Sequence, residues 1–280
     1  MNILKSVLVA FLLLSVFVHA QTSDDTVSKT KWQLLTYDFS NVFKGVGHAY
    51  TRPFEWQGQQ WGTLAAVAAG TGLLYIYDKE TSDFFVRQGD DIPTFIIDYG
   101  KNYGSPRYNF LFTGGVYFTG LLTQNEKLRR LGVLLLSSAI ATGVLQQLTK
   151  SLVGRARPLK NLGKDTFDPF NRDRDYHSFP SGHTMLAFSN AYAIGKQVSN
   201  PWLKAGIYTI GAIPGLSRLW EKQHWLTDVG LGIAISIFTV ESIDKYLDKK
   251  YEQKYNNGKG KTLSWNFNIT PARIGITAIF

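Results

Sequence analysis

Six apolar stretches, at residues 61–77, 108–122, 131–148, 183–198, 202–216 and 228–243, dominate this 280-residue sequence. Each is rich in Leu, Ile, Val and Ala with interspersed glycine, and none keeps a two-residue alternation for long, so each reads as a helix. At about 1.5 Å per residue such helices are roughly 23–27 Å long, the lower edge of what crosses a bilayer. Polar residues sit within them, including Gln146, Gln147, Asn190 and Lys196. Both a helical membrane protein and a soluble bundle with buried helices fit this pattern. The fold class expected is all-α, an antiparallel bundle of about six core helices.

The ends differ in kind. Lys5, an apolar run over residues 7–18 and the small Ala20 read as a secretory signal peptide spanning residues 1–20. Residues 21–60 form an amphipathic, aromatic-rich N-terminal segment, and residues 61–250 the bundle domain. Residues 251–280 are a tail in which Leu263, Trp265, Phe267 and Ile269 alternate with polar residues before Pro271, the pattern of a short β-hairpin.

A net charge of +9 admits nucleic acid, an anionic membrane surface or an anionic substrate as partner. The basic residues are dispersed, with no arginine-rich arm, and the leader directs the chain out of the cytoplasm, so nucleic acid is set aside. The absence of cysteine excludes a disulfide framework and thiol chemistry.

Three clusters carry chemistry. Lys150 and Arg157 stand seven apart beyond the third apolar stretch, Pro180-Ser181-Gly182-His183 opens the fourth, and Ser217-Arg218 is followed by His224 and Asp228. Lys150, Arg157 and Arg218 can cradle one phosphate, arginine through bidentate hydrogen bonds and lysine as a point charge. Ser181 and Gly182, at a helix start, add free backbone N–H groups and the helix dipole. His224 and Asp228 are four apart, so on one helical turn the carboxylate would orient the imidazole as a nucleophile, leaving His183 to protonate a leaving oxygen. In an antiparallel bundle the helix ends bearing these clusters share one face.

The pattern Lys-x6-Arg-Pro, Pro-Ser-Gly-His, Ser-Arg-x5-His-x3-Asp resembles the signature of the type-2 phosphatidic acid phosphatase family, related to vanadium haloperoxidases and bacterial acid phosphatases. The resemblance covers about residues 131–243. It implies a helical bundle and metal-independent hydrolysis of a phosphomonoester or lipid (di)phosphate through a phosphohistidine, without a cofactor. By that likeness His224 attacks phosphorus, Asp228 supports it and His183 is the general acid. Lys150, Arg157, Ser181, Gly182 and Arg218 hold the phosphate oxygens. The partners implied are a phosphorylated lipid, or a small phosphomonoester, and a membrane; a soluble-substrate acid phosphatase and a vanadate-dependent haloperoxidase are the alternatives.

Asp173, Asp175 and His177 read as a solvated or ion-paired loop rather than a metal site, and Arg155 as a spare phosphate contact at most. Trp220 and Trp225 either wall the pocket or pack in the core. The expected location is the cell envelope with the site facing the periplasm. Six crossings from an outside start would instead turn the site inward and leave Lys127, Arg129 and Arg130 outside, against the positive-inside tendency, so at least one stretch should not span.

Overall fold

The computed structural model describes residues 30–255, 264–270 and 273–279, with side chains through residue 252; the expected leader lies outside these. The helices are α1 (Lys31–Thr51), α2 (Gly58–Ile76), α3 (Asp78–Gly89), α4 (Thr94–Tyr103), α5 (Pro106–Leu122), α6 (Glu126–Val153), α7 (Gly182–Lys196), α8 (Pro201–Trp220) and α9 (Leu226–Tyr255). Beyond them, Ser264–Thr270 pairs antiparallel with Arg273–Ile279, and the two residues between these strands lie outside the described set.

Local sequence sets the boundaries. Thr30 and Gln33 form a capping box at the start of α1. Asn125 accepts from Leu128 N–H to start α6, which ends at Gly154 in the left-handed region, φ +58°. Asn200 caps α8 with Pro201 at the first helical position. Lys150 and Arg218 therefore lie inside the last turns of α6 and α8 rather than beyond them: no breaker intervenes, so each helix runs past its apolar stretch.

The apolar core centres on α6 and α9, with Leu131, Val133, Leu134, Leu135, Val240, Ile243 and Leu247 packed against Val42 of α1, Val116 of α5 and Ala193 of α7. The most apolar windows of α6 and of residues 226–252 are long and apolar enough to cross a membrane, although 56% and 44% of these windows are buried within the protein. The apolar α2 has no buried residue and packs mainly along α9.

Helices α3 and α4 fall where no apolar stretch exists. Helix α3 is charged, with Asp78 and Glu80 in its first turn and Arg87 in its last, favourable against the helix dipole. Both pack on α8.

At one place α1, α5, α6 and α9 are joined by a buried polar cluster. Arg129 Nε donates to Asp38 Oδ2 at 2.7 Å, and the hydroxyls of Tyr117 and Tyr251 donate to the same carboxylate at 3.2 and 2.7 Å. Arg130 pairs with Asp244 at 2.7 Å and Asp248 at 2.5 Å. Two of the three cations weighed as a topology signal are thus neutralised by partners on other helices.

Candidate active site

Four helix ends build the site. Lys150 is 8% exposed in the last turn of α6, Arg218 is 6% exposed in the last turn of α8, and His224 is 3% exposed in the turn before α9. Asp228 lies in the first turn of α9 and Ser181 caps α7, both fully buried. Ser181 N–H donates to Asp228 O at 3.0 Å, which fixes the start of α7 against the start of α9.

The strand-like segment after α6 reaches the same place. Arg157 N–H donates to Asp175 O at 2.8 Å, Leu159 N–H to Lys222 O at 3.0 Å, and Trp225 Nε1 to Ala156 O at 2.8 Å. Trp225, 5% exposed, is therefore a core clamp on this segment. Gly154 permits its turn: a Cβ there would stand 1.8 Å from Asp168 O. At Gly182 a Cβ would meet the Gln146 amide at 2.3 Å, and at Gly104, between α4 and α5, it would meet His183 at 2.8 Å. Both glycines let neighbouring helices close on the site.

All eight residues expected from the sequence gather here, with two changes of detail. Ser181 spends its own N–H on Asp228, so within this pair the uncommitted helix-start donor is that of Gly182, which has no carbonyl four residues back inside α7. His224 precedes α9, so its spacing from Asp228 is not a helical turn. Its Nδ1 is 3.5 Å from Asp228 Oδ2, an ion-pair distance too long for a good hydrogen bond, and Nδ1 is buried without a hydrogen-bond partner.

Asp228 is crowded for a reason the sequence does not display. Its Oδ2 accepts from Trp225 N–H at 2.8 Å, closing the first turn of α9, and from Ser178 Oγ at 2.5 Å. Its Oδ1 accepts from Arg155 Nη1 at 2.8 Å. Arg155 also pairs with Asp78 at 2.7 Å and donates to Thr227 Oγ1 at 2.7 Å, while Asp78 accepts from Thr227 N–H at 3.0 Å. The guanidinium lies 5.0 and 5.3 Å from the Tyr75 and Trp225 rings. Arg155 is a buried anchor for the carboxylate, not a spare phosphate contact. Asp78, Ser178 and Thr227, and the anchoring role of Arg155, escape sequence reasoning because the network rests on Asp78 of α3, far away in the chain.

The side chains around the cradle have partners of their own. Arg218 pairs with Glu221, and Arg157 Nη1 donates to Gln223 Oε1. Trp220 is half-buried, with its Nε1 lacking a partner. Asp173 pairs with Lys160 at 2.6 Å and caps the turn at Arg174–Tyr176, and His177 Nε2 lies 3.0 Å from Asn171 O, so these two are committed to the loop.

The electrostatics follow from burial among cations. Burial, then the positive field of Arg218, His224, Lys150 and Arg157, pushes the His183 imidazole down to about 3. Burial pushes His224 down to about 4 against the opposing pull of Asp228. Both rings are therefore neutral near pH 6 in a positively charged surrounding.

Residues 131–250, from α6 to α9, match the model of the PAP2 superfamily. The lipid A 1-phosphatase of Porphyromonas gingivalis is 34% identical over 84 residues, 29% of this chain and 19% of that protein. The lipid A 1-phosphatase of Rhizobium etli is 30% identical over 132 residues, 44% of this chain and 55% of that one. The undecaprenyl-diphosphatase of Sulfolobus acidocaldarius is 29% identical over 143 residues, 48% and 66% of the two chains. The chain thus spans about half the length of the Rhizobium protein and less of the Porphyromonas one. The matched segment contains all eight residues of the site, and over it this chain is similar to the PAP2 superfamily.

Proposed function

We propose that this protein is a metal-independent phosphatase of the cell envelope that hydrolyses a lipid phosphate or diphosphate through a phosphohistidine. The observation that carries this reading is the convergence of three buried or half-buried cations, a helix N-terminus and two neutral histidines at one set of helix ends.

With Nδ1 turned toward Asp228, Nε2 of His224 is the nitrogen free to attack phosphorus. A P–N bond forms as the P–O bond to the lipid breaks, and His183, protonated once phosphate offsets the cation field, gives its proton to the leaving oxygen. Water then attacks the phosphohistidine, with His183 as base, releasing orthophosphate. Lys150, Arg157 and Arg218 with the Gly182 N–H hold the three non-bridging oxygens, whose charge grows in the transition state. Asp228 stabilises the cationic imidazole, and Arg155 keeps Asp228 ionised and in place.

A lipid substrate is favoured by the surface of the bundle. Leu64, Leu73, Leu74 and Ile76 on α2 and Trp202, Leu203 and Ile210 on α8 are exposed. Exposed apolar side chains gathered on two helices suit a lipid or membrane contact. The names of the three relatives above, two lipid A 1-phosphatases and an undecaprenyl-diphosphatase, point the same way. Domain boundaries at residues 20, 60 and 250, a cleaved leader and a periplasm-facing site complete the proposal.

Orthophosphate release from a lipid monophosphate and from a prenyl diphosphate, in detergent with chelator present, tests the chemistry. Halide oxidation with added vanadate and no phosphate release would overturn it. Carbonate extraction of membranes, followed by protease accessibility of residues 150–179 from the outer side, tests the location.

A further inference from the structure

The turn between Arg218 and His224 is unusual in what it brings to the cradle. Glu221 stands at the C-terminal end of α8, where a carboxylate is disfavoured by the helix dipole. Its side chain, 29% exposed, pairs with Arg218, which is 8% exposed. Two residues on, Gln223 places its amide oxygen on Arg157. The intervening Lys222 has φ +55°, a left-handed conformation that a non-glycine residue rarely adopts.

The strained turn is fixed by backbone bonds. Gln223 N–H donates to Arg218 O at 2.9 Å, Lys222 N–H to Leu219 O at 3.2 Å, and Leu159 N–H to Lys222 O at 3.0 Å. Arg157 Nε remains buried without a partner. Two of the three cradle cations thus hold protein oxygens, of Glu221 and of Gln223. Nothing in the helix or its cap needs an acid at position 221.

We propose that Glu221 is the resident counter-anion of the cradle, exchanging with phosphate at Arg218, and that the Glu221–Gln223 turn thereby sets the affinity of the site for orthophosphate. This rests on the phosphatase reading above and deepens it. In the empty site Glu221 offsets the charge of a nearly buried guanidinium, which otherwise carries an uncompensated desolvation cost. An incoming phosphate must displace it. After hydrolysis the tethered carboxylate competes again for Arg218 and lowers the affinity for product. Glu221 acts through Arg218 and is a positioning residue.

The test uses the full chain in detergent, with orthophosphate as ligand, followed by calorimetry and by product inhibition of turnover. Glu221→Gln keeps the shape and removes the charge. It should bind orthophosphate about tenfold more tightly than the parent, and orthophosphate should inhibit it correspondingly better, with the gain shrinking at high salt. Glu221→Asp keeps the charge and should stay closer to the parent. Unchanged or weaker binding by Glu221→Gln, or equal tightening by Glu221→Asp, would overturn the proposal. If in that case the parent still binds orthophosphate and Arg218→Ala does not, the phosphatase reading stands alone. No orthophosphate binding by the parent would overturn both.

Discussion

Arg155 and Asp228 form an ion pair of 2.8 Å with side-chain exposures of 1% and 0%. The same guanidinium holds Asp78 of α3, so one cation ties a helix from the first third of the chain to the carboxylate beside His224. Removing one partner of such a pair strands a buried charge. Arg155→Ala should lower stability by about 3–5 kcal/mol, read from denaturant midpoints. Arg218→Ala should instead lower kcat/KM with little change in stability. A reversed pattern would return Arg155 to the phosphate cradle.

His224→Ala should reduce turnover by at least about a thousandfold while the far-ultraviolet circular dichroism stays that of the parent. Enzyme labelled from a radioactive lipid phosphate and quenched in alkaline detergent, where a phosphohistidine survives, should carry label only when His224 is present. Activity retained by the variant would remove the phosphohistidine from the mechanism.

The lowered His224 ring gives a signed pH dependence. The nucleophile must be neutral, and protonation disables it as pH falls through about 4, so the acid limb of kcat/KM should lie nearer 4 than 6.5. Stability moves with it. The folded value is below the unfolded value of about 6.5, so the unfolded chain takes up the proton first as pH falls. The contribution is complete above about 6.5 and is lost progressively toward about 4. Thermal midpoints across this window check the sign.

Gly154→Ala should be among the most damaging single-methyl changes. The residue has φ +58° and its added Cβ would lie against Asp168 O, which belongs to backbone and cannot turn aside. A loss of at least about 2 kcal/mol is expected, together with lower activity, because the segment carrying Arg155 and Arg157 starts here. Gly163→Ala, in open space but at φ +90°, should cost less.

How much was legible follows from where the information sits. Six apolar stretches give six of the helices, because burial in protein or lipid leaves a long local signature. Helices α3 and α4 leave none: both are short, α3 is charged and α4 mixes Phe, Ile and Tyr with polar residues, and packing against α8 stabilises them. The ends of α6 and α8 were placed too early, since hydropathy stops before the backbone does. The site residues were legible because their types and spacings are unusual together.

The sequence by itself determined the helical class, the eight candidate site residues and the chemistry their types permit. Tertiary structure decided what each residue touches. It turned Arg155 from a spare cation into the anchor of Asp228, moved His224 off the helix, and set Glu221 and Gln223 on the cradle cations. The reason is physical: residue type and spacing are local properties of a chain. Which charge neutralises which is fixed only when helices distant in sequence exclude water between them and each buried group must find a partner.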